Sequence, residues 1–161
     1  MTIRHSNPED LPRILEILHD GRLRQIESGN PNQWPEGYPS EEKMKEEIAE
    51  GVSYVMERDG EIVGAFSFII GIDPTYLEIE GGRWIEDTLP YGTIHRIAGV
   101  RTEKGIASEC FGWCWEQIKN LRADTHEDNA AMKHCLEKAG FRYCGIIHIA
   151  SGAERVAYQK I

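Results

Sequence analysis

Residues 100–108 are the part of the sequence whose types and spacing point most directly to chemistry. A hydrophobic run ends here, and a loop carrying Arg101 and Lys104 leads through Gly105 into a helical pattern. The first amides of a helix have no intrahelical acceptor, and the helix dipole adds partial positive charge there. Because Gly105 and the small Ala107 allow a ligand to approach the backbone, the stretch predicts a site for a phosphate or pyrophosphate.

A single glycine at a helix start has a second and common explanation, since it often serves only as a structural turn. The stretch is also neither of the two best-known phosphate-binding loops. A Walker loop needs Gly-Lys-Ser or Gly-Lys-Thr, and a dinucleotide-binding loop needs three glycines after the first strand. Taken alone, residues 100–108 therefore leave both the anion site and the turn open.

An acid–base group has few candidates in this sequence. His95 lies on the hydrophobic run that leads to residue 100, and a neutral imidazole can take a proton from an amine. The other interpretation is a strand histidine whose hydrogen bonds are satisfied by its neighbours. Glu78 and Glu80 are alternative bases or part of a solvated acidic face, and Tyr143 is either a substitute acid or a packing residue.

Residues 124–128, Asp-Thr-His-Glu-Asp, have the composition of a metal site. The spacing argues against one, because no two ligands lie four residues apart on a helical face, and because Asp128 is placed to cap the following helix. We therefore expect no metal. The cysteines form no Cys-x-x-Cys pair and are expected to be reduced thiols at positions 110, 114, 135 and 144.

Hydrophobic periodicity predicts the elements that would position these residues. The predicted strands are 2–5, 52–57, 61–72, 93–100, 121–125, 143–150 and 155–159, and the predicted helices are 8–29, 40–51, 106–120 and 129–139. Asp59-Gly60 marks a hairpin, and residues 73–90 form an insertion-like stretch. This order predicts a mixed α/β fold whose sheet is antiparallel early and gains a parallel pair through a right-handed crossover.

Residues 93–150 resemble the GCN5-related N-acetyltransferase (GNAT) superfamily. The resemblance rests on a strand, a basic loop with Gly105-x-Ala107 opening a helix, a second strand, a helix headed by Asn129, and the closing pair Gly140-Phe141. It implies one GNAT domain over residues 1–161, with a mostly antiparallel sheet, one splayed parallel pair and about four helices. It also implies acetyl-CoA as co-substrate and direct acetyl transfer to a primary amine of a small molecule, a peptide N-terminus or a lysine.

The resemblance also assigns roles to residues of this sequence. The bulged strand 93–100 would pair its backbone with the pantetheine arm of CoA, and His95 on that strand would be the base. The implied CoA-binding residues are Ile97, Ala98 and Gly99 on the strand, Arg101, Lys104, Gly105, Ile106, Ala107 and Ser108 at the pyrophosphate, and Asn129 beside the pantetheine.

Two departures from the family pattern affect the site. The first position of the loop pattern is Thr102, so Arg101 would supply the charge from one residue earlier. Many members place a tyrosine seven residues after the asparagine as general acid, and this chain has Leu136 there. A thiol with a pKa near 8.5 can leave without an acid, so we expect an enzyme. The alternatives are a catalytically decayed acyl-CoA-binding or sensing module, and an interaction domain that uses Trp113 and Trp115.

Composition excludes other classes of function. The 161 residues carry 18 Lys and Arg against 27 Asp and Glu, a formal charge of −9. Nucleic acids and anionic membranes attract clustered cations, so neither partner is expected. No apolar run is long enough to span a membrane and no signal peptide is visible, so we expect a cytoplasmic monomer or homodimer. The charge favours a cationic amine acceptor, in a pocket formed by residues 29–39 and 73–91.

Overall fold

The computed structural model describes all 161 residues. The strands are β1 (Thr2–His5), β2 (Ser53–Arg58), β3 (Glu61–Ile70), β4 (Gly92–Gly99), β5 (Leu121–Thr125), β6 (Arg142–His148) and β7 (Glu154–Lys160). The helices are α1 (Leu11–Glu27), α2 (Glu41–Glu50), α3 (Ile106–Gln117) and α4 (Ala130–Lys138). The predicted order of strands and helices is confirmed. None of these helices combines the length and the apolar character needed to cross a membrane.

All seven strands belong to one sheet, in the order β1-β2-β3-β4-β5-β7-β6. Every neighbouring pair is antiparallel except β4 and β5, which are parallel. That parallel contact is short, since only Gly92 pairs with Leu121 and Thr93 with Arg122. Beyond Thr93 the two strands diverge, and the edge of β4 that faces β5 has no strand partner. The predicted splayed pair is therefore present.

Local sequence explains most element boundaries. The Ser40 hydroxyl accepts a hydrogen bond from the Lys43 amide at 3.1 Å, which begins α2, and Gly51 ends it in the left-handed conformation. Asp59 and Gly60 both have positive φ, at 53° and 80°, as a tight hairpin turn requires. The predicted hairpin and the predicted limits of α2 are confirmed.

Several predicted boundaries are wrong by two or three residues, since α1 spans Leu11–Glu27 and β6 ends at His148, and two further differences have a clear local cause. The strand expected to reach residue 72 ends at Ile70, because Gly71 adopts a φ of 140° that turns the chain away from the sheet. The helix expected to reach residue 120 ends at Gln117, because Ile118 takes an extended backbone with φ of −157°. Ile118 thereby starts the path into β5.

Different elements cover the two faces of the sheet. Helices α3 and α4 cover one face, and the core there includes Phe66, Phe111 and Leu136. Helices α1 and α2 cover the first half of the opposite face through residues such as Ile14 and Met44. The segment 71–91 covers the rest of that opposite face, where three buried aromatic rings pack on β6 and β7: Tyr76, Trp84 and Tyr91.

The stretch 73–90 is fixed to the sheet rather than looping away from it. Glu80 and Ile146 exchange backbone hydrogen bonds of 2.9 and 2.8 Å, which adds a bridge beside β6. The indole nitrogen of Trp84 donates to the Tyr76 carbonyl at 3.0 Å. Gly82 packs so closely that a Cβ there would lie 1.9 Å from the carbonyl oxygen of Cys144. This docking brings the start of the segment to β4.

Replacing Gly82 with alanine should destabilise the protein, because the added methyl collides with a backbone carbonyl that cannot rotate away. Overpacking of this kind costs about 1–3 kcal/mol, and Tm should fall by about 2–4 °C for each kcal/mol. Gly112→Ala is the matched control, since its Cβ meets nothing within 4 Å and lies in α3. A wild-type Tm for Gly82→Ala would contradict the docked position of the segment.

Candidate active site

A cleft of about 1200 Å³ follows the divergence of β4 and β5. One end is formed by the unpaired edge of β4, the loop 100–105 and the start of α3. The other end lies among the loop 29–39, the start of the segment 71–91 and the β6–β7 turn. His95 and all the implied CoA-binding residues line this cleft except Ser108, which lies exposed in the first turn of α3.

The start of α3 is uncapped. Gly105 occupies the N-cap position with a φ of 78°, and no side chain accepts from the first turn. The first helical hydrogen bond runs from the Glu109 amide to the Gly105 carbonyl at 2.9 Å. The amides of residues 106–108 therefore have no helical acceptor. A Cβ at Gly105 would meet no atom within 4 Å, so the site has the open, donor-rich geometry that binds an anion.

The two cations assigned to this end are held differently. The Arg101 guanidinium bonds to Asp20 at 3.0 Å and to Glu27 at 2.8 Å, both on α1. The hydrogen bonds that Arg101 donates to the carboxylates of Glu27 and Asp20 raise its pKa above the ordinary value. Lys104 is exposed and forms no ion pair. Lys104 is therefore free to meet an anion, whereas Arg101 has to exchange its present partners.

The predicted bulge in β4 lies at Arg96. Ala65 pairs with Ala98 and Ser67 pairs with His95, so two residues of β4 oppose one residue of β3. Arg96 has a φ of 53°, a left-handed conformation that costs a residue with a side chain about 1–2 kcal/mol. Its guanidinium bonds to the buried carboxylate of Glu47 on α2 and lies 3.3 Å from the Ser67 hydroxyl. These contacts hold the bulge in place.

His95 forms a pair with Asp73 that the sequence did not predict. The Nε2 atom of His95 lies 3.2 Å from Oδ2 of Asp73. Oδ1 of Asp73 accepts from the amide and hydroxyl of Thr75 at 2.9 and 2.7 Å. The Asp73 amide donates to the Tyr91 hydroxyl at 2.8 Å. Burial alone would raise the pKa of the Asp73 carboxyl, but hydrogen bonds from His95 and Thr75 outweigh it and give a pKa of about 2.

The ionised state of Asp73 fixes the hydrogen-bonding state of His95. A carboxylate only accepts hydrogen bonds, so Nε2 must carry the proton that it shares with Asp73. In the neutral imidazole the lone pair then lies on the other ring nitrogen, Nδ1. Since His95 lines the cleft, the pair has the composition of a general base with a partner that orients it.

Asn129, and not Asp128, caps α4. Oδ1 of Asn129 accepts from the Met132 amide at 3.0 Å, whereas the Asp128 amide donates to His126 at 2.9 Å. The prediction that Asp128 is the cap is therefore wrong. Asp128 belongs to the turn at His126, and Asn129 holds the N-cap position, from which its side chain reaches the Met132 amide. Asn129 also donates from Nδ2 to Oε1 of Gln33 at 2.9 Å.

Gln33 is a site residue that no sequence pattern indicates. Its Oε1 accepts from Asn30 at 2.8 Å, from Thr125 at 3.3 Å and from Asn129. Its backbone carbonyl accepts from Arg155 at 2.8 Å. Gln33 thereby fastens the loop 29–39 to β5, α4 and β7 at the point where the two ends of the cleft meet.

The alternative acid–base residues lie elsewhere. Neither Glu78 nor Glu80 lines the cleft, and Glu80 belongs to the bridge with β6. Tyr143 is exposed and packs edge-on against Tyr158, with ring centroids 5.9 Å apart. Leu136, at the position of the family's tyrosine, lines the cleft and is buried. The structure thus places no tyrosine at the expected position of the acid.

The acidic stretch 124–128 has structural partners. Oδ2 of Asp124 accepts from the buried Tyr76 hydroxyl at 2.6 Å, and burial together with Asp124 raises the pKa of Tyr76 well above its ordinary value. No group of three or more His, Cys, Asp or Glu side chains is placed to hold a metal ion. Asp124 lines the cleft and adds negative charge on the face that carries His95.

Comparison with known proteins identifies the family. No family model and no curated protein matches the sequence. A GNAT-family acetyltransferase from Streptococcus agalactiae 2603 has a solved structure with 32% sequence identity and a TM-score of 0.90. The match covers 99% of this chain and 94% of that chain. This protein belongs to the GNAT family of acetyltransferases.

Two more distant structures share the GNAT fold. A ribosomal-protein-alanine N-acetyltransferase from Brucella melitensis is 24% identical, with a TM-score of 0.64 over 100% of this chain and 99% of that one. The aminoglycoside acetyltransferase AAC(6')-Ib, in complex with coenzyme A and kanamycin, is 21% identical, with a TM-score of 0.65 over 99% and 93% of the two chains. The predicted GNAT fold is confirmed.

Two substitutions of Asn129 should separate its capping role from its bond to Gln33. Asn129→Ala removes the N-cap and should lower stability by about 1 kcal/mol. Asn129→Asp keeps the accepting oxygen and should melt above Asn129→Ala, while it loses the donor to Gln33. Thermal unfolding measures the loss of the N-cap, and calorimetric titration with CoA measures the effect of losing the bond to Gln33. Equal melting temperatures for the two variants would contradict the capping role.

Proposed function

We propose that this GNAT protein is an acetyl-CoA-dependent N-acetyltransferase that moves the acetyl group directly onto a primary amine. The observation that carries the proposal is the single cleft that joins an uncapped helix start, an unpaired strand edge and the His95–Asp73 pair. Acetyl-CoA supplies the acetyl group as a thioester, which an amine can attack. The AAC(6')-Ib complex with coenzyme A and kanamycin has the same fold and supports this cofactor and a small amine acceptor.

The residues at the α3 end of the cleft suit CoA. The pyrophosphate would accept hydrogen bonds from the amides of residues 106–108, and Lys104 would balance part of its charge. The amides of the pantetheine arm would bond to the free β4 edge at residues 97–99, in the way that an added strand does. Arg101 would join the pyrophosphate only by leaving Asp20 and Glu27.

His95 is the base in this proposal. A free amine has a pKa near 10.4 and carries a proton at neutral pH, so it must lose that proton before it attacks. Nδ1 of His95 would take the proton, directly or through water, and the Asp73 carboxylate 3.2 Å from Nε2 would stabilise the resulting imidazolium. With no tyrosine at position 136, the sulfur would leave as a thiolate, which a pKa near 8.5 permits.

Thiol release from acetyl-CoA in the presence of a panel of amines tests the proposed function. We expect release that depends on the amine, together with a Tm raised by acetyl-CoA alone, since a ligand of the folded state stabilises it. A Tm shift without release from any amine would instead support an acyl-CoA-binding module, which the Leu136 position also fits. No shift at millimolar acetyl-CoA would contradict both functions.

Gly105→Asp and Gly105→Asn differ only in charge and test the anion site. Both residues tolerate left-handed backbone and both cap helices, so each variant should fold. The aspartate would lie beside the amides proposed for the pyrophosphate and repel it, so the Tm shift caused by acetyl-CoA should be lost in Gly105→Asp. Gly105→Asn should keep most of the shift. Equal shifts in the two variants would place the phosphates elsewhere.

His95→Gln should lower kcat/KM at pH 7 by about 10²-fold or more, because a general base contributes about 10²–10⁴-fold. Asp73→Asn should act similarly, since an asparagine can donate to Nε2 and so reverse which ring nitrogen carries the proton. Both losses should shrink at high pH, where the amine deprotonates by itself. Glu78→Gln, at an exposed site outside the cleft, is the control. A loss independent of pH would leave His95 with a role in shaping the pocket only.

A further inference from the structure

The two buried arginines differ in how their charge is balanced. Arg122 is 1% exposed and Arg155 is 6% exposed. Nη2 of Arg122 lies 2.9 Å from the carboxylate of Asp87, and its guanidinium lies over the rings of Trp84 and Tyr91 at 4.0 and 3.8 Å. Arg122 therefore has a counter-ion and two aromatic faces inside the protein.

Arg155 has no such partner. It forms no ion pair, and it donates only to two backbone carbonyls, those of Glu154 at 2.9 Å and Gln33 at 2.8 Å. Burial lowers the pKa of Arg155, which the charge of Asp124 opposes only in part. A guanidinium has five N–H donors, so Arg155 keeps donors without an acceptor in the protein. None of these unpaired nitrogens is fully buried, so they are open to a ligand in the cleft that Arg155 lines.

Arg155 lies in the same cleft as His95. It comes one residue before Val156, which pairs with Thr125 at the end of β5, and it lines the cleft. The strand register places Arg155, Asp124 and His95 on the same face of the sheet, away from α3. This is the face opposite the uncapped helix start, so the phosphates of CoA bound there would lie at the other end of the cleft.

We propose that the acceptor is an amine that also carries a carboxylate, and that Arg155 binds this carboxylate. The proposal rests on the proposed acetyl transfer and names the class of its acceptor. A planar carboxylate matches the fork of a guanidinium. The carboxylates of Asp73 and Asp124 in the same cleft suit the ammonium group and disfavour a dianionic phosphate. An amino acid presents both charges, with its amine directed to His95 and its carboxylate to Arg155.

Matched sets of acceptors test this inference. Each set contains an α-, β- or γ-amino acid, its primary amide and the amine without the carboxyl group, and phosphoethanolamine serves as the phosphate probe. Thiol release from acetyl-CoA gives kcat/KM for each compound. The Tm of the protein with each compound, measured with and without CoA, reports binding even where turnover is absent. The variants are Arg155→Gln, Arg155→Lys, and Arg142→Gln as a control with the same charge change outside the cleft.

In the wild-type protein, at least one amino acid should exceed its amide and its decarboxylated amine by about 10- to 100-fold, the range for a charged hydrogen bond. The ratio should fall close to one in Arg155→Gln, stay intermediate in Arg155→Lys and remain wild-type in Arg142→Gln. Amides or plain amines that equal the acids, or a ratio that survives in Arg155→Gln, would overturn the inference. A preference for phosphoethanolamine would replace the carboxylate with a phosphate and overturn it as well.

The two readouts separate this inference from the proposed function. If acetyl-CoA neither binds nor releases thiol, the acetyl transfer is wrong, while an acid-specific Tm shift that Arg155→Gln abolishes would still support the carboxylate site. If thiol release occurs with amines but without any preference for the acid, the acetyl transfer stands and the role of Arg155 is wrong. A Tm of Arg155→Gln without ligand close to that of the wild-type protein would show that loss of the carbonyl contacts does not explain the effect.

Discussion

The divergence of β4 from β5 is the feature on which the rest of this molecule depends. Two residue pairs join the strands, and beyond them the bulge at Arg96 bends β4 away. The left-handed backbone of Arg96 is unfavourable, and its ion pair with Glu47 beside the Ser67 hydroxyl offsets this. Burial opposes the charge on Arg96, yet Glu47 and Tyr38 outweigh burial and raise its pKa. Strands that stayed paired would leave no free backbone edge for a ligand.

The sheet separates two kinds of chemistry that meet at this divergence. The α3 side offers backbone amides and Lys104, which suit the phosphates of CoA, whereas the opposite face offers an imidazole, two carboxylates and a buried guanidinium. Gln33 connects the two sides of the sheet. Its side chain accepts a hydrogen bond from the cap of α4, and its backbone carbonyl accepts one from Arg155. A molecule that enters the cleft therefore contacts a loop that is already fastened to the start of α4.

The sequence predicted the features that neighbouring residues determine. Gly105 at the start of α3, the Asp59-Gly60 turn and the stop at Gly140, with a φ of 94°, depend only on local backbone preferences. Contacts between residues that are distant in the chain left no recognisable pattern in the sequence. The Asp73–His95 pair, 22 residues apart, and the Gln33–Asn129 bond, 96 residues apart, are two examples. These contacts exist only because the segment 71–91 and the loop 29–39 dock on the same sheet.

Titration of the ¹⁵N-labelled protein with acetyl-CoA, followed by amide NMR, decides whether this divergence is a CoA site. We expect the largest shifts at the amides of residues 106–108 and along the free edge of β4 at residues 97–99. The edge strand β1, which pairs only with β2 on the far side of the sheet, should be unaffected. Saturable shifts confined to other surfaces, with the α3 amides unchanged, would contradict the CoA site and the acetyl transfer built on it.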